Sequence, residues 1–159
     1  MRKNLSEQQL GGKMERVILT EKNFSKLKDL MKKNRGKEIV FTSEDDELNR
    51  KVIEKLPVGI LLIPLSKRKD FAKQRNSGFN EVMAKIAKKN SVKIGVNLDE
   101  VIHSDEKEKI ISRLKQNIKL CVKNKIPLIF IEGKEKRNPV LLKSLGISLG
   151  MPSWMISEI

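Results

Sequence analysis

The chain has few of the residues from which several common functional sites are built. Among 159 residues there are one cysteine, one histidine, one tryptophan and no tyrosine, and aromatic residues make up only 4%. A single cysteine excludes an internal disulfide, and a single histidine excludes a metal centre with several histidine ligands. No short aromatic motif of the kind that stacks bases on a sheet surface is present. We therefore expect any RNA contact to depend on cations, amides and backbone groups.

Long apolar runs are also absent. The longest, residues 58–65 and 126–131, are much shorter than the roughly 20 residues that a membrane-spanning helix needs. The polar opening residues 1–4 lack the apolar core of a signal peptide. With a single cysteine and neither of these segments, the sequence predicts a cytoplasmic protein with no membrane partner.

Positive charge dominates what the sequence does contain. Lysine and arginine number 34 against 20 acidic residues, which gives a formal net charge of +14 and an isoelectric point near 9.9. Hydrophobic residues still make up 38%, enough for a folded core in a chain of this length. A domain this basic repels itself unless a polyanion binds it. Nucleic acid is the commonest such partner, and an anionic membrane surface is the second.

Short apolar runs alternate with helical patterns about five times, which predicts an α/β fold of alternating β-α units with parallel strands. A closed (β/α)₈ barrel normally needs roughly 250 residues, so we expect an open sheet or an incomplete TIM-like barrel. A single domain should cover residues 15–159, preceded by a flexible polar lead-in over residues 1–14. Strands are predicted at residues 17–19, 38–42, 58–65, 92–98 and 126–131.

Polar residues mark where the helices should begin. Ser43, Ser77 and Ser104 are predicted N-caps, and Asn138-Pro139 should open the last helix because proline suits its first position. Helix capping also explains Asp45 and Asp46 better than metal ligation does. The sequence contains neither a P-loop nor a nucleophile elbow. Cys121 falls on an apolar helical stripe and is expected in the core, and we expect no catalytic residue.

Two loops that follow predicted strands carry concentrated positive charge. In a parallel α/β fold such loops open on one edge of the sheet, so together they predict a basic rim suited to phosphates. An acidic loop containing Asp99, Glu100 and Asp105 lies between them. Lysines on the helices are expected to be solvated surface residues. The predicted RNA-binding residues are Lys67, Arg68, Lys69, Lys73, Arg75 and Asn76 in the first loop and Lys134, Lys136 and Arg137 in the second.

Phe71 lies within the first basic loop. An aromatic side chain there can stack on a base, but we expect it to anchor the loop to the core. The polar residues just before the next predicted helix can bind an anion, cap the helix, or do both. They form the hexapeptide Arg75-Asn76-Ser77-Gly78-Phe79-Asn80.

The hexapeptide and later segments resemble the archaeal ribonuclease P protein component 3 family, a counterpart of a nuclear ribonuclease P and MRP subunit. The match runs from about residue 58 to 152. It includes the strand at Val92-Lys93-Ile94-Gly95-Val96-Asn97-Leu98, the helix pattern of Arg113, Leu114 and Asn117, the strand Ile126-Pro127-Leu128-Ile129, and the closing Arg137-Asn138-Pro139 and Leu145-Gly146-Ile147-Ser148-Leu149-Gly150-Met151 segments.

This resemblance implies a shortened TIM-like barrel related to PHP-type metal-dependent phosphoesterases but without their metal centre. It implies a non-catalytic subunit of a ribonucleoprotein whose RNA removes the 5′ leader from precursor tRNA. The implied partners are ribonuclease P RNA, ribonuclease P protein component 2 and, indirectly, precursor tRNA. The protein itself would bind no cofactor, whereas Mg²⁺ would accompany the partner RNA. Two alternatives remain open: a phosphoesterase that retains activity, and a basic α/β module that binds a protein partner.

Overall fold

The structure, a computed structural model, describes residues 14–159. Five parallel strands alternate with helices, which confirms the predicted fold class. The strands are β1 (Arg16–Leu19), β2 (Glu38–Phe41), β3 (Ile60–Leu62), β4 (Lys93–Asn97) and β5 (Leu128–Ile131). The helices are α1 (Phe24–Lys33), α2 (Asp46–Lys55), α3 (Glu81–Lys89), α4 (Leu98–His103), α5 (Lys107–Asn124), α6 (Pro139–Ser148) and α7 (Ser153–Ile156).

The strands pair in the order β1-β2-β3-β4-β5, so each hydrogen-bonds to its neighbour in the sequence. Every crossover therefore returns over the same face, where the helices pack. Alternate strand residues such as Phe41, Leu61 and Ile94 are fully buried there, against the apolar stripes of the helices. On α5 this stripe includes the fully buried Cys121, as predicted, and burial raises the pKa of its thiol.

The opposite face of the sheet is concave. Ile18 on β1 and Ile131 on β5 line the same cavity, of about 490 Å³, although three strands separate them. Such curvature is that of an incomplete barrel. A second, smaller apolar cluster fills this face, and Gly95 leaves the space for it: a Cβ there would lie 2.8 Å from Ile60 Cγ2. The cluster consists of Val40, Ile60, Leu62, Ile129 and Ile131.

The element positions agree with the predicted ones better than the helix caps do. The predicted caps Ser43, Ser77 and Ser104 are wrong, because the caps of α2, α3 and α5 are Asp45, Asn80 and Glu106. The predicted start of α6 is confirmed: the side chain of Asn138 accepts a hydrogen bond from the Val140 N–H.

Three features of the fold differ from the pattern read in the sequence. The short helices α4 and α7 were not predicted. Strand β3 ends before residue 65, since Pro64 has no N–H to continue the ladder.

Residues 1–13 of the predicted lead-in lie outside the described residues. No helix within residues 14–159 combines the length and the apolar character needed to cross a membrane.

Candidate nucleic-acid interface

Asp70 organises the loop of residues 66–80 that follows β3. Its carboxylate accepts hydrogen bonds from the Asn76 backbone N–H at 2.9 Å, from Arg75 Nη1 at 2.8 Å and from Arg113 Nη2 at 2.9 Å. The Asn76 contact, supported by both arginines, outweighs desolvation and holds the pKa of this carboxyl well below its usual range. The loop is thus closed around an ionised acid.

Arg113 connects this loop to α5. Its side chain is only 1% exposed and donates to the carbonyl oxygens of Leu65 at 2.8 Å and Arg68 at 2.9 Å, besides Asp70. A buried arginine of this kind is stable only when its charge and its N–H groups find partners. The distribution of charge along the sequence did not predict a structural role for Arg113. The available signals were its place on the apolar face of α5 and its part in the resemblance.

Arg68, predicted to bind RNA, points inward. Its side chain is 8% exposed and forms two parallel hydrogen bonds to Asp46 at 2.9 and 3.0 Å, while Nε donates to the Pro64 carbonyl. Gly78 makes room for the guanidinium: its φ is +71°, and a Cβ there would lie 2.2 Å from Arg68 Nη2. The guanidinium is therefore occupied in holding the loop to α2.

The hexapeptide is mainly a framework for the same loop. The Asn76 amide bridges the Lys69 carbonyl and the Gly78 N–H, each at 3.2 Å. Ser77 is buried and binds Gln116 and Asn117 of α5, also at 3.2 Å. Asn80 then caps α3 by accepting from the Met83 N–H. These side chains thus fix the conformation of the loop that carries Lys67, Lys69 and Lys73.

Six of the nine predicted RNA-binding residues present cationic groups to solvent. Arg75 keeps 42% of its side chain exposed although it pairs with Asp70. Arg137 is more enclosed, at 27%, and pairs with Glu135 at 3.2 Å. The side chains of Asn76 and Arg68 are instead occupied by the hydrogen bonds described above. The exposed lysines are Lys67, Lys69 and Lys73 after β3 and Lys134 and Lys136 after β5.

Both basic loops lie at one edge of the sheet, as predicted. The acidic segment between them was predicted as a loop, but its residues Asp99 and Glu100 lie in the first turn of helix α4, directly after β4. Glu100 accepts hydrogen bonds from the backbone N–H groups of Leu65, at 3.0 Å, and Ser66. Asp99 accepts one from the Lys134 N–H at 3.3 Å. The acids therefore interrupt the positive surface but also hold its two halves together. We name this surface the basic rim; it comprises Lys67, Lys69, Lys73, Arg75, Lys134, Lys136 and Arg137.

The basic rim offers cationic N–H donors, and the acidic residues near it are occupied in the fold. Within residues 14–159 there is no group of three or more His, Cys, Asp or Glu placed to hold a metal ion. Asp45 caps α2, and Asp46 pairs with Arg68. Phe71 is 58% exposed, so the prediction that it anchors the loop to the core is wrong.

Fold and surface together define a class: an α/β protein with a partial parallel barrel and a cationic rim at the carboxyl ends of its strands. No family model matches the chain. Over 117 residues it is 35% identical to Ribonuclease P protein component 3 of Methanosarcina mazei, a match that covers 71% of this chain and 46% of the relative. The relative of the same name from Methanococcus maripaludis is 28% identical over 74% of this chain and 50% of its own length.

A solved structure supports the same relationship to ribonuclease P proteins. In a cryo-EM structure of archaeal Ribonuclease P with mature tRNA, one chain superposes with a TM-score of 0.76 and 26% identity, over 91% of this chain and 64% of the other. The protein is thus a relative of ribonuclease P protein component 3, which confirms the resemblance seen in the sequence. It spans about half the length of the curated relatives that it matches.

Proposed function

We propose that the protein is an RNA-binding subunit of ribonuclease P that supports RNA-catalysed removal of the 5′ leader from precursor tRNA. The observation that carries this proposal is the basic rim, built on the Asp70–Arg113 framework in a chain related to ribonuclease P protein component 3. The protein contributes no catalytic group. It binds and orders the catalytic RNA together with ribonuclease P protein component 2.

The proposed mechanism is electrostatic. Exposed lysines release counterions from the RNA backbone when they bind phosphates, and by screening phosphate repulsion they lower the Mg²⁺ concentration at which the RNA folds. Arg75 and Arg137, partly exposed, add planar guanidinium groups that suit phosphate oxygens. Arg68 and Asn76 act through the loop, by fixing the positions of Lys69 and Lys73.

Reconstitution tests the role directly. Precursor tRNA cleavage by the ribonuclease P RNA of the source organism is measured at limiting Mg²⁺, with component 2 present, with and without this protein. We expect cleavage to rise only when the chain is added. If cleavage stays unchanged while component 2 is folded and the RNA is active at high Mg²⁺, the proposed role is rejected, and metal analysis of the purified protein then tests the phosphoesterase alternative.

Charge neutralisation tests the surface. Lys69→Gln/Lys73→Gln should reduce the slope of log affinity against log salt by about 0.7 to 0.9 for each phosphate that the variant no longer binds. Lys33→Gln/Lys55→Gln is the matched control, since these lysines end α1 and α2 at the opposite edge of the sheet. Equal effects of the two double substitutions would contradict the assignment of the basic rim.

A further inference from the structure

Phe71 is an exposed aromatic in a chain that has few aromatics. Its side chain is 58% exposed, and its backbone is held by a 3.0 Å hydrogen bond from its N–H to the Gln74 carbonyl. Asp70, the residue before it, is fixed by Arg113 and Asn76. The ring is therefore presented to solvent on a tightly anchored loop.

A cavity of about 360 Å³ lies beside this ring. That volume falls within the roughly 300–1,000 Å³ of small-molecule sites. Phe79 and Met83, both buried, and Leu120 supply apolar lining. Ligand sites commonly combine such an apolar lining with a few polar groups that fix the orientation of the ligand.

Side-chain amides supply much of the polar lining. The two acids that also line the cavity are each paired with a cation, Asp46 with Arg68 and Glu81 with Lys123. Gln116 uses its Nε2 to donate to Ser77, which leaves its Oε1 as an acceptor without a hydrogen bond in the described part of the chain. Gln74 likewise makes no side-chain hydrogen bond among residues 14–159. Both line the cavity, as does Arg75. An aromatic face, apolar walls and amide groups are the chemistry by which proteins bind an unstacked base.

We infer that this cavity binds one unstacked nucleobase of single-stranded RNA, with the base stacked on Phe71 and its edge contacting Gln74 and Gln116. The inference rests on the proposed function and adds base recognition to it. Lys69, Lys73 and Arg75 belong to the same loop, so phosphates on either side of the base would reach the basic rim. Loops, bulges and ends of an RNA expose such bases, whereas a continuous duplex does not.

Stacking and phosphate binding respond differently to salt, which makes the inference testable. Removing the aromatic ring on which a base stacks costs about 1–3 kcal/mol per base, or roughly 5- to 150-fold in affinity, and leaves the counterion release unchanged. Phe71→Ala should therefore weaken binding of a single-stranded oligoribonucleotide at every salt concentration without altering the salt slope. Phe71→Trp should preserve the affinity, and Phe71→Leu should restore little of it because leucine has no aromatic face.

Photocrosslinking locates the base. The oligoribonucleotide carries one 5-iodouridine, a base analogue that crosslinks efficiently to a stacked aromatic ring, and the crosslinked residue is identified by mass spectrometry. We expect the crosslink at Phe71. Ile147→Ala, which removes an apolar side chain that is 65% exposed on α6, is the control for nonspecific loss of surface area and should change neither readout.

The outcomes separate this inference from the proposed function. If Phe71→Ala binds RNA as tightly as the native chain while Lys69→Gln/Lys73→Gln binds less tightly, the base site is rejected and the RNA-binding role stands. A crosslink confined to other residues also rejects the base site. If the native protein binds no RNA and does not stimulate cleavage, the proposed function fails and the base site fails with it.

Discussion

Replacing Arg113 by methionine should remove the hydrogen bonds that hold the loop of residues 66–80 against the core. Methionine keeps much of the volume of the arginine stem but donates no hydrogen bond. The carbonyl oxygens of Leu65 and Arg68, bonded to Arg113 at 2.8 and 2.9 Å, then lose their donor. An unsatisfied buried acceptor costs about 1–3 kcal/mol, so two predict a loss of about 2–6 kcal/mol in the free energy of unfolding.

Urea unfolding measures this loss, and hydrogen exchange shows where it occurs. Amide protection should fall in residues 66–80 more than in β4 or β5, and RNA affinity should fall because the lysines lose their fixed positions. Arg75→Met is the matched control. It also removes an arginine from Asp70, but this arginine is 42% exposed, and exposed ion pairs contribute only about 0–1 kcal/mol. The reasoning is refuted if both substitutions cost the same, or if Arg113→Met leaves the exchange of this loop unchanged.

Two further predictions concern packing and pH. Gly95→Ala should destabilise the sheet by about 1–3 kcal/mol in urea unfolding, since the new Cβ would meet Ile60 Cγ2 at 2.8 Å and overpack the concave face; an unchanged stability would show that this face can relax. Because the pKa of Asp70 is lowered from its ordinary 3.8 in the folded protein, its ionised form stabilises the fold above that pH, and the stabilisation is lost as the pH falls through the lowered value. Asp70→Asn should therefore reduce the acid dependence of unfolding below pH 3.8, and an acid transition identical to that of the native chain would contradict it.

The sequence predicted best the features that depend on residues close together in the chain, namely the strands and helices. Apolar runs and helical spacing located all five strands and the five longer helices, because each element needs a continuous apolar face for its own burial. The three mistaken serine caps show the limit of this reasoning. Aspartate, asparagine and serine compete for the same N-cap role, and the choice among Ser43, Asp45 and their neighbours depends on where the chain leaves the preceding strand.

The position of the basic rim was also predictable, but the roles of its members were not. Parallel strands bring their carboxyl ends to one edge, so two charged loops that follow strands must meet there. Whether an individual cation is exposed depends on partners distant in the sequence. Arg68 is separated by 22 residues from Asp46, and Arg113 by 43 residues from Asp70.

By itself the sequence therefore determined the fold class, the parallel direction of the strands and the edge of the sheet where positive charge collects. These follow from the periodicity and from the handedness of β-α-β connections, which are properties of short stretches of chain. Only the tertiary structure decided that Arg68 and Arg113 bind the loop from within, that Phe71 faces solvent beside a cavity, and that Gly95 leaves space for Ile60. The physical reason is that burial and ion pairing are set by contacts between residues far apart in the chain, which no local pattern encodes.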